Sequence, residues 1–411
     1  MRGVYHNRLA RMTHKLDFIE AALAHRQSMQ QRRQLKVVDP QSDGWVTVDG
    51  RAMLDFCSND YLGLSRHPLL IARSQEYLLR FGSGATASRL ICGNRSFFGP
   101  VEERLASLKG SEAALIFNSG FQANVSILPV LADRSSLILS DQLNHNSLIQ
   151  GARLARCRIE VFRHNDLEHL RLLLSQSRHH NYSRKIIVTE SIFSMDGDLC
   201  PLDELVAIAD AFDAILVVDE AHATGVAGPK GMGLTCGKGV DVSVGTFSKA
   251  CGAFGAYVAC SRTMREYLIN CSPGLIYSTA LPPAVLGAVD AALEVIPGMA
   301  SERRRLHQHA AELRRALQDL GWDCGKAAAQ IVPITVGPEA VALELSQWLA
   351  RHDIFATAIR PPTVERDRSR IRLAVSAVHQ KEDITRVIDV FSRWSRTVHP
   401  APLNQQTKSS I

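Results

Sequence analysis

No Cys-x-x-Cys occurs in these 411 residues, and the nine cysteines are scattered and odd in number. That pattern argues against a disulfide frame or a zinc site, so no metal is expected and the thiols are read as reduced, in a cytoplasmic protein. No apolar run approaches the length needed to span a bilayer, which leaves no membrane partner. The N-terminus, Met1 to Arg11, lacks a hydrophobic signal region. Its basic, acid-poor start imitates an organellar transit peptide but continues into a helical pattern. A net charge of +6 is small for this length, and no basic stripe with interleaved aromatics is present, which excludes nucleic acid as the expected partner. The phosphate loop Gly-x-x-x-x-Gly-Lys-Ser/Thr is absent too, so Asp219-Glu220-Ala221-His222 is not a helicase box.

What is present is an ordinary soluble composition, 46% apolar and 21% charged, at a length that calls for two or three domains. Residues 5 to about 40 read as a long polar helix within an N-terminal segment, 1–60, that also holds a strand at Trp45 to Val48. Between 61 and 295 short apolar runs alternate with helical stretches. The runs are Ala113 to Phe117, Ser136 to Leu139, Ile186 to Thr189, Ile215 to Val218, Val242 to Val244 and Ala256 to Ala259. The alternation predicts a large α/β domain with a mostly parallel central sheet and a ligand site at the C-terminal strand ends. From 296 to 396 the pattern becomes that of a smaller C-terminal α+β domain. Leu306, Ala310, Leu313, Leu317 and Leu320 form one helix face, and Arg370 to Ser376 alternates strictly, with Ile371, Leu373 and Val375 opposite Arg370 and Arg372. The Pro/Gln/Ser-rich tail, 397–411, is expected to be mobile.

Several chemically suited residues fall at strand ends. Lys249 lies in Gly245-Thr246-Phe247-Ser248-Lys249, directly after the run Val240 to Val244. Asp219 follows four aliphatic residues, and a carboxylate at a buried strand end is expensive unless paired. A lysine to form a Schiff base and an aspartate to hold a protonated pyridine nitrogen suit pyridoxal 5'-phosphate (PLP). His222 reaches towards the ring hydroxyl or a substrate carbonyl, and Ala221 is small enough for a flat ring to lie on it. Ser119-Gly120-Phe121 opens a helix after a strand, where backbone amides bind phosphate, and Thr246 and Ser248 add hydroxyls. His145 offers a ring to stack on the opposite face, and Ser194 another strand-end hydroxyl. Arg372 suits a substrate α-carboxylate. Each residue alone reads equally well as packing, capping or a surface ion pair, and together they are hard to explain as packing.

These residues resemble the α-oxoamine synthases, PLP enzymes of fold type I, the aspartate aminotransferase fold. The resemblance runs from about Asp43 to Phe391 and is carried by Ser58-Asn59-Asp60-Tyr61-Leu62-Gly63-Leu64, Asn118 to Asn124, Thr189 to Asp198, Asp219 to Gly225, Thr246 to Lys249 and Tyr277 to Pro283. It implies that Lys249 is Schiff-base lysine and base, that Asp219, His222 and His145 serve the ring, and that Ser119, Gly120, Phe121, Glu190, Ser194 and Thr246 line the cofactor site. It further implies that Thr279 reaches the phosphate of a neighbouring subunit in a homodimer, and that Asn59 and Arg372 hold the amino-acid carboxylate. The implied reaction is a decarboxylative condensation of an amino acid with an acyl thioester of CoA or acyl carrier protein. Arg360, twelve residues before Arg372, suits the distal carboxylate of a pimeloyl group, with L-alanine as co-substrate. Relatives acting on other amino acids and acyl chains, and a non-catalytic partner subunit, remain as alternatives. Phe98 stands where the family usually has histidine.

Overall fold

The computed structural model describes residues 2–397; residues 398–411 of the tail expected to be mobile lie outside it. The centre is a seven-stranded sheet. Its strands are β1 (Ala113–Phe117), β2 (Leu137–Asp141), β3 (Arg158–Phe162), β4 (Lys185–Glu190), β5 (Ala214–Asp219), β6 (Val242–Thr246) and β7 (Ala256–Cys260). The spatial order is β1-β7-β6-β5-β4-β2-β3. Neighbours from β6 to β3 pair in parallel, and only β7 runs antiparallel to both its neighbours.

The inner strands read as unbroken apolar runs because both faces are covered. Along β1, Ala114 and Ile116 pack into one core, whereas Leu115 and Phe117 pack into another across the sheet. Tyr257 and Val258 divide β7 in the same way. At about 1.5–3 kcal/mol for each large aliphatic or aromatic side chain buried, the two cores fix the register of the strand ends that carry the chemistry.

The small domain carries a three-stranded antiparallel sheet, with Ser369–Ala374 between Ile331–Gly337 and Ala358–Ile359. Ile371 and Leu373 point into the core as expected, but the opposite face is no solvent face: Arg370 and Arg372 are 5% and 8% exposed. That face packs against the loop after β4, where Arg370 donates to Asp196 at 2.6 Å and Arg372 to the Ser194 carbonyl at 2.7 Å.

The N-terminal helix spans Arg2–Ser28, not 5 to 40. It stops because Gln30 takes the left-handed conformation (φ 54°), after which the Gln31 amide caps back onto the Arg26 carbonyl at 2.8 Å. Beyond it, Val38–Pro40, Trp45–Val48 and Arg51–Asp55 form an antiparallel meander, and Ile354–Phe355 adds in parallel to the last of these strands. That pairing brings the segment starting at Cys57 beside Thr357, with Cys57 Sγ 3.2 Å from the Thr357 hydroxyl.

Candidate active site

β4 and β5 end side by side, with Glu190 paired to Asp219 in register. Asp219 is 6% exposed. Its carboxylate accepts from the Ala221 amide at 2.8 Å and from Asn124 Nδ2 at 2.7 Å. Both are neutral donors, so the buried charge has no bonded cation. A protonated ring nitrogen would supply one. Asn124 belongs to helix α1 (Gly120–Leu131), whose Ser119 cap accepts from the Gln122 amide at 3.2 Å. The first-turn amides of a helix have no intrahelical partner, and here they start beside β6, with Gly120 next to Thr246. A neutral-donor cradle around an anion and an open helix N-terminus fit the two ends of PLP.

Lys249 follows β6, and its Nζ lies 2.8 Å from His222 Nε2. Burial pulls this amine down to about 8, against the upward pull of the Asp219 and Glu190 carboxylates. Burial also drives Glu190 well above the usual carboxylate range, and Asp219 beside it adds to the shift. His222 is held well below the ordinary imidazole value, by burial first and then by the Lys249 and Arg372 charges. It is therefore neutral at neutral pH, and both ring nitrogens are engaged: Nδ1 lies 2.7 Å from the Tyr61 hydroxyl. Tyr61 in turn donates to Asn59 Oδ1 at 2.9 Å, and Arg372 Nη2 donates to Asn59 Oδ1 at 3.1 Å and to the Tyr61 hydroxyl at 3.3 Å. The expected base and the expected carboxylate holders thus meet in one hydrogen-bonded chain.

The remaining expected residues divide. Thr246 and Ser248 hydroxyls bond each other at 2.7 Å on the approach to Lys249. His145 is exposed, caps helix α2 (Asn146–Leu154), and is anchored by its amide on Glu190 Oε1 at 2.6 Å. Although part of its surface meets solvent, the protein packed around its ring withdraws water and lowers its pKa against the pull of Asp219, which favours the neutral ring. Ala221 lies half-buried after Asp219, Phe121 is exposed on the first turn of α1, and Ser194 is buried beside Arg372. Thr279 is exposed in the chain, and its carbonyl takes the Asn118 amide at 2.8 Å.

Arg360 does not join Arg372. Its guanidinium donates to the Gln30 carbonyl, and it lines a separate cavity of about 900 Å³ with Arg32, Arg33 and Lys36. Phe98 is fully buried between Phe97 and Arg89, whose guanidinium lies 4.2 Å over its ring while pairing with Glu102. In this chain it is a packing residue. Two residues escaped the sequence reading: Asn124, which braces Asp219, and Tyr61, which joins the two halves of the site. Both lay inside the motifs quoted above, but nothing in their type pointed to those partners.

The pattern of the aminotransferase class I and II family matches residues 51–391, and the chain belongs to that family. It is a PLP-dependent enzyme of fold type I and, within the family, groups with the α-oxoamine synthases, which are acyltransferases. A protein of Gluconacetobacter diazotrophicus named 8-amino-7-oxononanoate synthase is 45% identical over 399 residues, 95% of this chain and 100% of its own. One of Desulfosudis oleivorans, given the same name provisionally, is 54% identical over 382 residues, 93% of this chain and 99% of its own. Among solved structures, a serine palmitoyltransferase with PLP attached superposes with a TM-score of 0.86 at 27% identity, covering 93% of this chain and 98% of that one.

Proposed function

We propose that the protein condenses L-alanine with a pimeloyl thioester, of CoA or of acyl carrier protein, in biotin synthesis. The products are 8-amino-7-oxononanoate, CO₂ and the free thiol carrier, and the working unit is a homodimer in the cytoplasm. The observation that carries this reading is the continuous chain from Lys249 through His222 and Tyr61 to Asn59 and Arg372. A base and a carboxylate clamp joined through one imidazole and one phenol are what an α-amino acid needs for loss of its α-proton. Bound PLP supplies an electron sink for the carbon that loses first a proton and later CO₂.

The residues of the chain do the rest. Asp219 keeps a cationic ring nitrogen charged because its carboxylate is buried among neutral donors. With its pKa near 8, Lys249 takes and returns a proton near neutral pH at little cost. Arg372 and Asn59 orient the α-carboxylate, so that the bond to be broken is chosen by position. Neutral His222, bonded through Nε2 to Lys249, orients the base without adding a charge beside it.

The acyl side rests on the second cavity. Of its lining residues Arg32, Arg33, Lys36 and Arg360 are cations and none is an acid. Burial, with Arg33 close by, lowers the pKa of Arg360, and Glu339 offsets part of that. A cavity with four cations and no acid in its lining suits an acyl substrate with an anionic carrier or a distal carboxylate. The test is purified protein with PLP, L-alanine and pimeloyl-CoA, product identified by mass, beside a Lys249→Ala control. Absence of 8-amino-7-oxononanoate would overturn the proposal. L-Serine with palmitoyl-CoA in a parallel reaction tests the reading that the serine palmitoyltransferase likeness favours.

A further inference from the structure

Tyr61 sits at the only junction, among the described residues, where the side chains that serve the α-proton and those that serve the carboxylate touch. It is fully buried, and its hydroxyl has three side-chain neighbours: Asn59 Oδ1 at 2.9 Å, His222 Nδ1 at 2.7 Å and Arg372 Nη2 at 3.3 Å. We infer that Tyr61 is a positioning residue that fixes the proton of His222 on Nδ1 and leaves Nε2 bare towards Lys249.

Arginine only donates, so Arg372 uses one lone pair of the phenol oxygen. Arg372 also donates to the Asn59 side chain at 3.1 Å, which forces the amide oxygen, not its NH₂, to face this junction. With an acceptor there, the single phenolic proton goes to Asn59 Oδ1. His222 Nδ1, 2.7 Å away, then meets an oxygen whose proton is already used, and has to donate. The Gln330 amide donates to the His222 carbonyl at 2.8 Å and helps hold the residue in place. A neutral imidazole carries one proton, so Nε2 is an acceptor, and it faces Lys249 Nζ at 2.8 Å.

Two consequences follow for the reaction. Lys249 always finds an acceptor for its N–H, which holds its free lone pair in one direction. And any carboxylate that draws Arg372 and Asn59 onto itself acts on the same phenol that orients His222, so clamp and base are linked through Tyr61 and His222. The assignment of Tyr61 depends on the enzyme reading only for its kinetic meaning; the proton positions are testable without substrate.

The experiment is ¹⁵N NMR of histidine-labelled protein, with and without PLP, His222 being assigned by a His222→Gln variant. The expected result is a neutral Nδ1–H tautomer for His222 at pH 7 in the unsubstituted protein, lost in Tyr61→Phe. An Nε2–H tautomer in the unsubstituted protein overturns the inference with no variant needed, and an unchanged tautomer in Tyr61→Phe overturns it as well. Turnover gives a second readout: kcat of Tyr61→Phe is expected to fall about tenfold or more, with a pH profile displaced from the parent's, because a tautomer that reverses puts a donor opposite the base. A fall in kcat with an unchanged profile counts against the inference. Failure of the product assay would sink the substrate assignment and leave the tautomer result standing.

Discussion

Burial sets Lys249 near 8, and this has a consequence that can be measured before any substrate is chosen. Only a neutral amine captures the aldehyde of PLP. At pH 7 a lysine with a pKa of about 8 is neutral in about one molecule in eleven, against about one in 2,500 for an ordinary lysine at 10.4, so capture is about 200 times faster at equal reactivity. The rate of covalent uptake, followed by absorbance in cofactor-free protein from pH 6 to 10, should therefore rise with pH and level off with a midpoint near 8. The carboxylate of Asp219 holds that midpoint up, since it favours the charged amine. Asp219→Asn should thus move it to lower pH and speed capture at pH 7, while weakening retention of the cofactor. The two effects have opposite signs, so a general loss of structure cannot mimic both. A midpoint at 10 or above, or a shift to higher pH in Asp219→Asn, would refute the reasoning.

Arg372→Lys keeps the charge but loses the fork that holds the Ser194 carbonyl through Nε while Nη2 serves Asn59 and Tyr61; KM for the amino acid should rise about tenfold or more, read from steady-state kinetics. Replacing Arg32 and Arg33 by glutamine should raise KM for pimeloyl-CoA and flatten its salt dependence, with KM for alanine unchanged. Gly151→Ala would place a Cβ 2.5 Å from the Asn124 carbonyl, forcing α1 and α2 apart at a cost of about 1–3 kcal/mol, visible as a lower Tm and looser PLP binding. His164 lies between Asp141 and Asp198, at 2.9 and 2.7 Å; burial pulls its pKa down, but the two carboxylates outweigh that and lift it to about 10. A raised folded-state pKa stabilises in full below the unfolded value near 6.5 and loses that stability as pH climbs through 10, so Tm should fall from pH 7 to 10 and His164→Gln should remove that part of the slope.

Strands buried on both faces were legible in the sequence because their residues are mostly apolar; β5 and the runs at β1 and β7 were found to within a residue or so. β3 was not, since it is the edge strand and carries Arg158 and Glu160 on its open side. The cofactor end of the site was legible for a similar reason: Asp219 after an aliphatic run has few bland explanations. The substrate end was less so. Alternation along Arg370 to Ser376 separates two faces but does not say what covers the second, and here the large domain covers it. Arg360 shows the same limit, because spacing along a chain does not tell which cavity a long side chain will line. Tyr61 was hidden by its own chemistry: an aromatic followed by a leucine reads as core, and only the positions of Asn59, His222 and Arg372 reveal its hydroxyl.

The parallel pairing of Arg51–Asp55 with Ile354–Phe355 imposes an order of assembly on the ribosome. The two sides of this joint, Cys57 and Phe355, are separated by 298 residues. At about 5–20 residues per second, the N-terminal strand and the Asn59-Tyr61 segment wait roughly 15–60 s for their partners, while the seven central strands and the Lys249 loop have already been made. A nascent chain thus has the parts of its cofactor pocket before it can build the place for an amino acid. During that interval the meander offers an unpaired edge, and holding PLP early would give the half-made enzyme a folded body to wait on.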